Sequence, residues 1–220
     1  MIKPGEDWTR PAAGPADLEV SGDDADLAAA VGAHPGALVR FRPTAASDVA
    51  RAVGLSANSS GEREAALDAL HIDADRGNKR LATNMVVVGT PPNSLRRFVR
   101  RIFVTVNVDN RPVWSGPATT VVVATGEFLR GLDVVPRGHP GDGRAEIQVY
   151  AVAPRERRAL RGRLHTGTHV PHPAITQTTG RRVEITCPRH AASVEIDGHA
   201  AGTADHLAID VVGAAYRLLL

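Results

Sequence analysis

The sequence predicts an α+β protein in which a small α/β domain is followed by a larger antiparallel β-sandwich domain. Residues 18–80 contain two runs of strand, turn and helix signals, a pattern typical of a small parallel α/β layer. Residues 81–220 consist mainly of β-branched runs that Gly, Pro and Asp turns separate, which is typical of a sandwich. Residues 1–17 are rich in proline, and we expect an irregular arm there.

The α/β part has two candidate helices. Residues 25–31 favour helix, and Asp23 or Asp24 would cap it, because a carboxylate accepts hydrogen bonds from the free amides of the first turn. Residues 44–54 form the second candidate helix. The strands that would precede these helices are residues 18–20 and 36–41.

The β-rich part contains eight candidate strands and one helix. The helix covers residues 154–164 and should begin at or near Pro154. Residues 64–70, before this part, fit either a short helix or the start of a strand. The candidate strands are residues 85–88, 102–108, 119–124, 145–152, 182–186, 192–196, 206–212 and 216–220, the last being a candidate to return to the first domain.

Two Asp-Gly corners adjoin strands in this region. Residues 194–198 predict a strand that runs into a tight turn at Asp197–Gly198, and residues 206–212 would be the returning strand. Asp142–Gly143 leads into another strand. Each corner is read either as a plain turn or as part of a functional site.

Composition limits the function classes. The formal net charge is +2, and nearly all the basic residues are Arg, so the charge does not indicate a nucleic-acid partner. Cys187 is the single cysteine, which excludes a disulfide framework. No signal peptide and no apolar run of membrane-spanning length is found, so we expect a soluble, cytoplasmic protein without a transmembrane segment.

Short motifs follow one another along the β-rich part in a consistent order, at residues 119–126, 132–136, 141–143, 182–185 and 194–198. In this order and spacing the chain resembles the bacterial diacylglycerol kinase family, lipid kinases whose nucleotide domain is shared with NAD kinases. The resemblance implies phosphoryl transfer from a nucleotide such as ATP to the hydroxyl of a lipid such as diacylglycerol.

The resemblance also locates a degraded nucleotide site. The family's "GGDGT" phosphate turn corresponds to residues 21–25, where Ser21 and Asp24 replace two glycines and Ala25 replaces the Thr. Asp24 thus brings a carboxylate to the place where phosphate should approach. Few residues precede this turn, so the resemblance implies a truncated nucleotide-type domain. The second family segment corresponds to residues 42–51. The candidate nucleotide-binding residues are Gly22, Asp23, Asp48 and Arg51.

Catalytic and metal candidates follow from the same resemblance. His199 stands where the family has the Glu regarded as the general base, with Asp197 beside it, and a histidine can accept a proton near neutral pH. Asp142 matches an Asp that helps to hold a structural Mg²⁺, together with the backbone carbonyls of His139 and Arg144. The alternative at Asp142 is a turn without an ion. Asp68 and Asp73 both remain candidates for a family Asp near the domain junction.

Two function hypotheses result. The first is a diverged lipid kinase, a phosphotransferase with weakened or lost catalysis. The second is a non-catalytic module that binds lipid or protein, as a homodimer that buries the open edge of the truncated sheet. The arginine clusters at residues 96–101 and 155–163 are expected to be solvated faces, and the alternative is that one of them meets anionic lipid headgroups or a phosphate.

Overall fold

The computed structural model describes residues 8–55, 59, 61–75 and 77–220, and these form seventeen strands, three α-helices and one 3₁₀ turn. The helices are α1 (Asp24–Ala33), α2 (Asp48–Ala52) and α3 (Arg157–Arg163), and the 3₁₀ turn is Pro92–Ser94. The first nine strands are β1 (Arg10–Pro11), β2 (Leu18–Gly22), β3 (Leu38–Pro43), β4 (Arg63–Ala74), β5 (Asn78–Ala82), β6 (Met85–Gly89), β7 (Ile102–Val108), β8 (Arg111–Ala118) and β9 (Thr120–Ala124). The others are β10 (Phe128–Leu129), β11 (Leu132–Asp133), β12 (Ala145–Tyr150), β13 (Ile175–Gly180), β14 (Arg182–Thr186), β15 (Ala192–Ile196), β16 (His199–Ala204) and β17 (His206–Leu219).

Two large sheets dominate the structure. The six-stranded sheet has the order β13-β12-β9-β6-β15-β16, and the nine-stranded sheet contains β1-β4-β17-β14-β7-β8 with β5, β3 and β2 attached. A core of mainly β-branched side chains from both sheets lies between them, among them Val86, Val104, Val121 and Ile185, all fully buried. The structure is mostly β and agrees with the predicted β-sandwich part of the α+β fold. None of the helices in the described ranges is long and apolar enough to cross a membrane.

Strands β4 and β17 join the α/β elements to the sandwich. They pair from Leu207–Ala74 at one end to Leu219–Glu64 at the other, with an irregularity between Val212 and Tyr216. The last residues of β17 also pair in parallel with β3. The α/β elements are thus an extension of the nine-stranded sheet, and no separate small domain stands out. A strand of this length passes through both parts of the molecule, since each residue advances a strand by about 3.3 Å.

The hairpin after β15 differs from the prediction. Its returning strand is β16, which pairs Ile196 with His199, whereas β17 belongs to the other sheet. Asp197 and Gly198 both have positive φ, 48° and 81°, as a two-residue hairpin turn of the favoured twist requires. The prediction was wrong because β16 is short, exposed and built of small residues, so its sequence carries no alternating apolar pattern.

Six further strands escaped sequence analysis: β1, β5, β8, β10, β11 and β13. Strands β5, β8 and β13 lie at sheet edges, and β1, β10 and β11 have only two residues each. Edge strands tolerate polar residues and proline, so their sequences carry weak strand signals. The predicted start of the third helix at Pro154 was also wrong: α3 begins at Arg157 after Glu156. Residues 64–70 lie in strand β4.

Asp197 fastens the hairpin turn to the start of β6. Its carboxylate accepts hydrogen bonds from the backbone N–H groups of Thr83 (2.8 Å), Asn84 (3.0 Å) and Met85 (2.9 Å). Burial raises the pKa of Asp197 to about 7 against the opposing effect of these amides. Loss of the carboxylate would therefore release both the turn and the segment that begins β6.

We predict that Asp197→Asn lowers the free energy of unfolding by about 1–3 kcal/mol, because the amide nitrogen of Asn would face backbone N–H groups and leave at least one unsatisfied. The substitution should also change the dependence of stability on pH. The folded-state pKa of about 7 lies above the ordinary 3.8, so the folded protein keeps a proton that the unfolded chain loses. The proton on Asp197 contributes fully to the stability of the fold below pH 3.8, and this contribution is lost as the pH rises to about 7.

Urea denaturation of the wild type and of Asp197→Asn across this pH range measures both effects. The difference in stability between them should shrink as pH rises. Asp210→Asn, which changes a half-exposed carboxylate on β17, is the control. Parallel pH profiles for wild type and Asp197→Asn would contradict the assignment.

Candidate functional site

Four segments meet where the α/β elements join the sandwich: the starts of α1 and α2, the loop around β10 and β11, and the turn between β15 and β16. The Nε2 atom of His199 lies 2.8 Å from Oδ2 of Asp23, and the hydroxyl of Thr83 donates to the backbone carbonyl of Asp24 at 3.1 Å. We call this group of residues the junction site. Its members are Gly22, Asp23, Asp24, Asp26, Asp48, Arg51, Arg130, Asp197 and His199.

The start of α1 is capped by two carboxylates of the chain itself. Asp23 accepts from the N–H groups of Ala25 (3.0 Å) and Asp26 (3.3 Å), and Asp26 Oδ2 accepts from the N–H of Asp23 (3.0 Å). The side chain of Asp26 also fills the space in which Gly22 would carry a Cβ. The amides that a phosphate group would use at this turn therefore already have partners.

The side chain of Asp24 was predicted to lie at the phosphate turn, but it points to the start of α2. Its carboxylate is buried and accepts from the Ser47 hydroxyl (2.6 Å) and from the N–H groups of Asp48 (3.0 Å) and Val49 (3.2 Å) at the start of α2. Burial raises the pKa of Asp24 to about 6, although these hydrogen bonds oppose the rise. Asp24 thus joins α1 to α2, and the carboxylate that lies on the glycine turn belongs to Asp26.

Asp48 and Arg51 contact the loop between β10 and β11. The Asp48 carboxylate accepts from the N–H groups of Arg130 (2.5 Å) and Gly131 (2.8 Å). The guanidinium carbon of Arg51 lies 5.8 Å from the centre of the Phe128 ring. Both side chains bind the chain itself at positions that the resemblance assigned to nucleotide binding.

Arg130 is a junction residue that sequence analysis missed. Its guanidinium contacts Glu195 Oε2 (2.8 Å) and donates to the carbonyl of Gly198 (2.9 Å), so it connects the β10–β11 loop to the hairpin. The available signal was the Arg-Gly pair, because Arg130 has a positive φ of 51° at a tight turn.

His199 is the most accessible of the predicted catalytic residues. Its side chain is 60% exposed, and among the residues that the structure describes only its Nε2 atom has a partner, Asp23. Burial alone would raise the pKa of Asp23, but the hydrogen bonds from His199 and from two backbone amides lower it below its usual value. Asp23 therefore stays anionic and orients the imidazole. Asp197, by contrast, is buried and cannot reach a substrate.

The predicted metal residues lie around a separate loop. Asp142 Oδ1 accepts from the N–H of Arg144 (3.0 Å), and His139 Nδ1 accepts from the N–H of Gly141 (3.2 Å). Within the described ranges, no group of three or more His, Cys, Asp or Glu side chains has the arrangement of a metal site. A cation here would thus depend on the Asp142 carboxylate and on backbone carbonyls, which are suitable ligands for Mg²⁺.

Asp68 lies beside this loop. It accepts from the N–H groups of Gly143 (2.6 Å) and Ala214 (2.9 Å), the latter at the irregularity of β17. Burial raises the pKa of Asp68, and the negative charge of Asp142 adds to the effect. Asp73, the other candidate, lies on β4 opposite Lys79 of β5. The neighbouring carboxylates of Asp68 and Asp142 suit a hard cation.

Comparison with known proteins supports the fold. Among curated proteins, no sequence matches this chain. A solved diacylglycerol kinase structure from Bacillus anthracis str. Sterne is similar, with 18% identity, a TM-score of 0.72, and coverage of 92% of this chain and 76% of that one. A provisionally assigned diacylglycerol kinase from the same organism gives 16% identity, a TM-score of 0.74, and coverage of 92% and 78%.

The family comparison agrees with the structural one. The family model of the YegS C-terminal NAD kinase beta sandwich-like domain matches residues 71–220. This range contains most of the sandwich, including the hairpin that carries Asp197 and His199. The resemblance to bacterial lipid kinases is thereby confirmed, and the chain belongs to the family defined by the YegS C-terminal NAD kinase beta sandwich-like domain.

Proposed function

We propose that this chain is a lipid-kinase-like protein in which phosphoryl transfer from a nucleotide to a lipid hydroxyl is weakened or lost. The observation that carries the proposal is the self-capped start of α1, where the carboxylates of Asp23 and Asp26 occupy the amides of the glycine turn. The reaction class comes from the family and from the two Bacillus anthracis structures named as diacylglycerol kinases.

Electrostatics argue against a nucleotide phosphate at this turn. A helix N-terminus attracts a surface anion by about 0.3–1 kcal/mol. Two like charges about 4 Å apart repel each other by about 4 kcal/mol at an effective dielectric constant of about 20. Repulsion from the Asp23 and Asp26 carboxylates therefore exceeds the attraction of the helix. The phosphates of ATP do not fit the turn as it stands.

The second possible ligand is a hard cation at Asp142. We place it between the Asp142 carboxylate and the carbonyl oxygens of His139 and Arg144, with Asp68 nearby. Bound there, Mg²⁺ would neutralise the repulsion between two carboxylates and hold the loop that precedes β12. Its role is structural, since the loop is separate from the carboxylates at the start of α1.

The first test of this proposal is calorimetry with ATP and Mg²⁺. The wild type should give no heat of binding at millimolar nucleotide. Asp26→Ala frees the N–H of Asp23 and removes one charge from the turn, so it should give a measurable heat of binding at millimolar ATP, which needs a gain of at least about 1.4 kcal/mol, or about tenfold in affinity. Asp210→Ala removes an equivalent exposed carboxylate elsewhere and should have no effect. Tight ATP binding by the wild type would refute the proposal.

A second test concerns His199. His199→Glu restores the residue type that the resemblance assigns to this position, but it brings a carboxylate to within hydrogen-bonding distance of Asp23. We expect no phosphorylation of diacylglycerol in vesicles above the level of heat-denatured protein, for wild type or variant. We also expect faster hydrogen exchange at the start of α1 in His199→Glu than in His199→Gln, because like charges separate the hairpin from the helix. Lipid phosphorylation by the wild type would contradict the proposal, and equal exchange in the two variants would contradict the contact.

A second candidate function is a non-catalytic binding module that forms a homodimer. Strand β2 favours it, since among the described residues β2 pairs with β3 alone and its other edge is open. Asp17 donates its N–H to Leu38 on the β3 side, so by alternation the N–H groups of Leu18 and Val20 face the open edge. An open edge of this kind can pair with a second copy of the same strand.

Leu18→Pro tests the dimer because proline lacks the N–H that would point at the partner. The wild type should sediment as a dimer in analytical ultracentrifugation, and Leu18→Pro as a monomer. Leu18→Ala keeps the N–H while shortening the side chain, so it should remain dimeric. A monomeric wild type at every concentration would exclude this assembly.

A further inference from the structure

A basic cavity of about 430 Å³ opens at the end of the sandwich that is remote from the junction site. It lies where β6 ends, where β7 begins and where the chain enters β15. The residues that give it its character are Arg100, Arg101, Phe103, Arg189, His190 and Ser193.

This cavity and the junction site lie at opposite ends of the same two paired strands, β6 and β15. Strand β6 begins at Met85, which binds Asp197, and ends at Gly89, which lines the cavity. Strand β15 runs the other way, from Ala192 at the cavity to Ile196 beside the hairpin turn. Five residues of strand span about 13 Å. A ligand in the cavity would therefore not touch the junction residues.

The positive charge of the cavity has no internal counterion. Its lining contains no Asp or Glu. Arg100, Arg101 and Arg189 form no ion pair with the described part of the chain, whereas Arg130, Arg182 and Arg217 each contact a carboxylate. The positive charge of Arg101 also acts on the buried guanidinium of Arg157. Burial lowers the pKa of Arg157, and repulsion from Arg101 lowers it further.

Part of the cavity is already arranged for a ligand. The Arg189 guanidinium lies over the Phe103 ring, 4.5 Å from its centre, a contact that limits the orientations of its donors. The Ser193 hydroxyl donates to the carbonyl of Gly89 at 2.9 Å and so ties β15 to β6 at the cavity wall. A guanidinium held in this way loses little freedom when it binds the planar edge of a phosphate.

We propose that this cavity binds a phosphate group that carries at least two negative charges, through the guanidinium groups of Arg101 and Arg189. The ligand is either a soluble phosphate ester or a lipid whose headgroup is a phosphate monoester, since both present the same oxygens. This site goes beyond the proposed function, because it requires neither a nucleotide nor phosphoryl transfer.

Calorimetry with inorganic pyrophosphate, in the absence of metal ions, tests the soluble form of the ligand. Binding should weaken at least about tenfold in the double variant Arg101→Ala/Arg189→Ala, which removes two charge-assisted contacts. The control is Arg111→Ala/Arg181→Ala, which removes the same charge from exposed positions outside the cavity and should bind as the wild type does. Thermal unfolding of both double variants shows that the fold is kept.

Sedimentation with vesicles tests the lipid form. The vesicles contain either phosphatidylcholine alone or phosphatidylcholine with phosphatidic acid, whose headgroup is a phosphate monoester. Pyrophosphate binding that depends on Arg101 and Arg189 supports the proposal with a soluble ligand, and vesicle binding with the same dependence and no pyrophosphate binding supports it with a lipid headgroup. Equal losses in the two double variants, or no binding in either experiment, would overturn the proposal.

Discussion

The carboxylate of Asp197 holds the three backbone N–H groups that begin strand β6, and the junction of the molecule is organised around this contact. These amides are buried, so they need a partner within the protein, and an unpaired one would cost about 1–3 kcal/mol. The contact fixes the hairpin turn, and the turn in turn places His199 beside Asp23. A single buried carboxylate thereby connects the sandwich to the first helix.

The same device recurs at two other loops of the junction and at the separate loop around Asp142. Asp24 satisfies the start of α2, Asp48 satisfies the loop at Arg130 and Gly131, and Asp68 satisfies Gly143 and Ala214. Amides of glycine turns and helix starts are ordinarily good places for phosphate groups. In this chain the side chains of aspartate take those places. The scaffold is kept while the groups that would receive a nucleotide are already engaged, which is the physical basis of the proposed loss of catalysis.

The long pairing of β4 with β17 explains how the few α/β elements, two helices and two short strands, stay folded. Tyr216, Leu67 and Leu218 belong to both the strand pair and the core under α1, and each is fully buried. The α/β part therefore shares its core with a sheet that the sandwich already stabilises. Charge is distributed differently: carboxylates gather at the junction, and arginines without an ion pair among the described residues gather at the opposite end of β6 and β15.

The sequence by itself determined the β-sandwich, a capped first helix with Asp23 or Asp24 as its cap, and the tight turn at Asp197–Gly198, because these depend on local patterns of two to ten residues. It could not identify β16 as the returning strand, since strand β16 has no apolar alternation. Nor could it show that Asp24 turns inward to α2 while Asp26 covers Gly22. Only the tertiary structure decided these points and the role of Arg130, because each depends on backbone amides that long-range packing brings to a side chain.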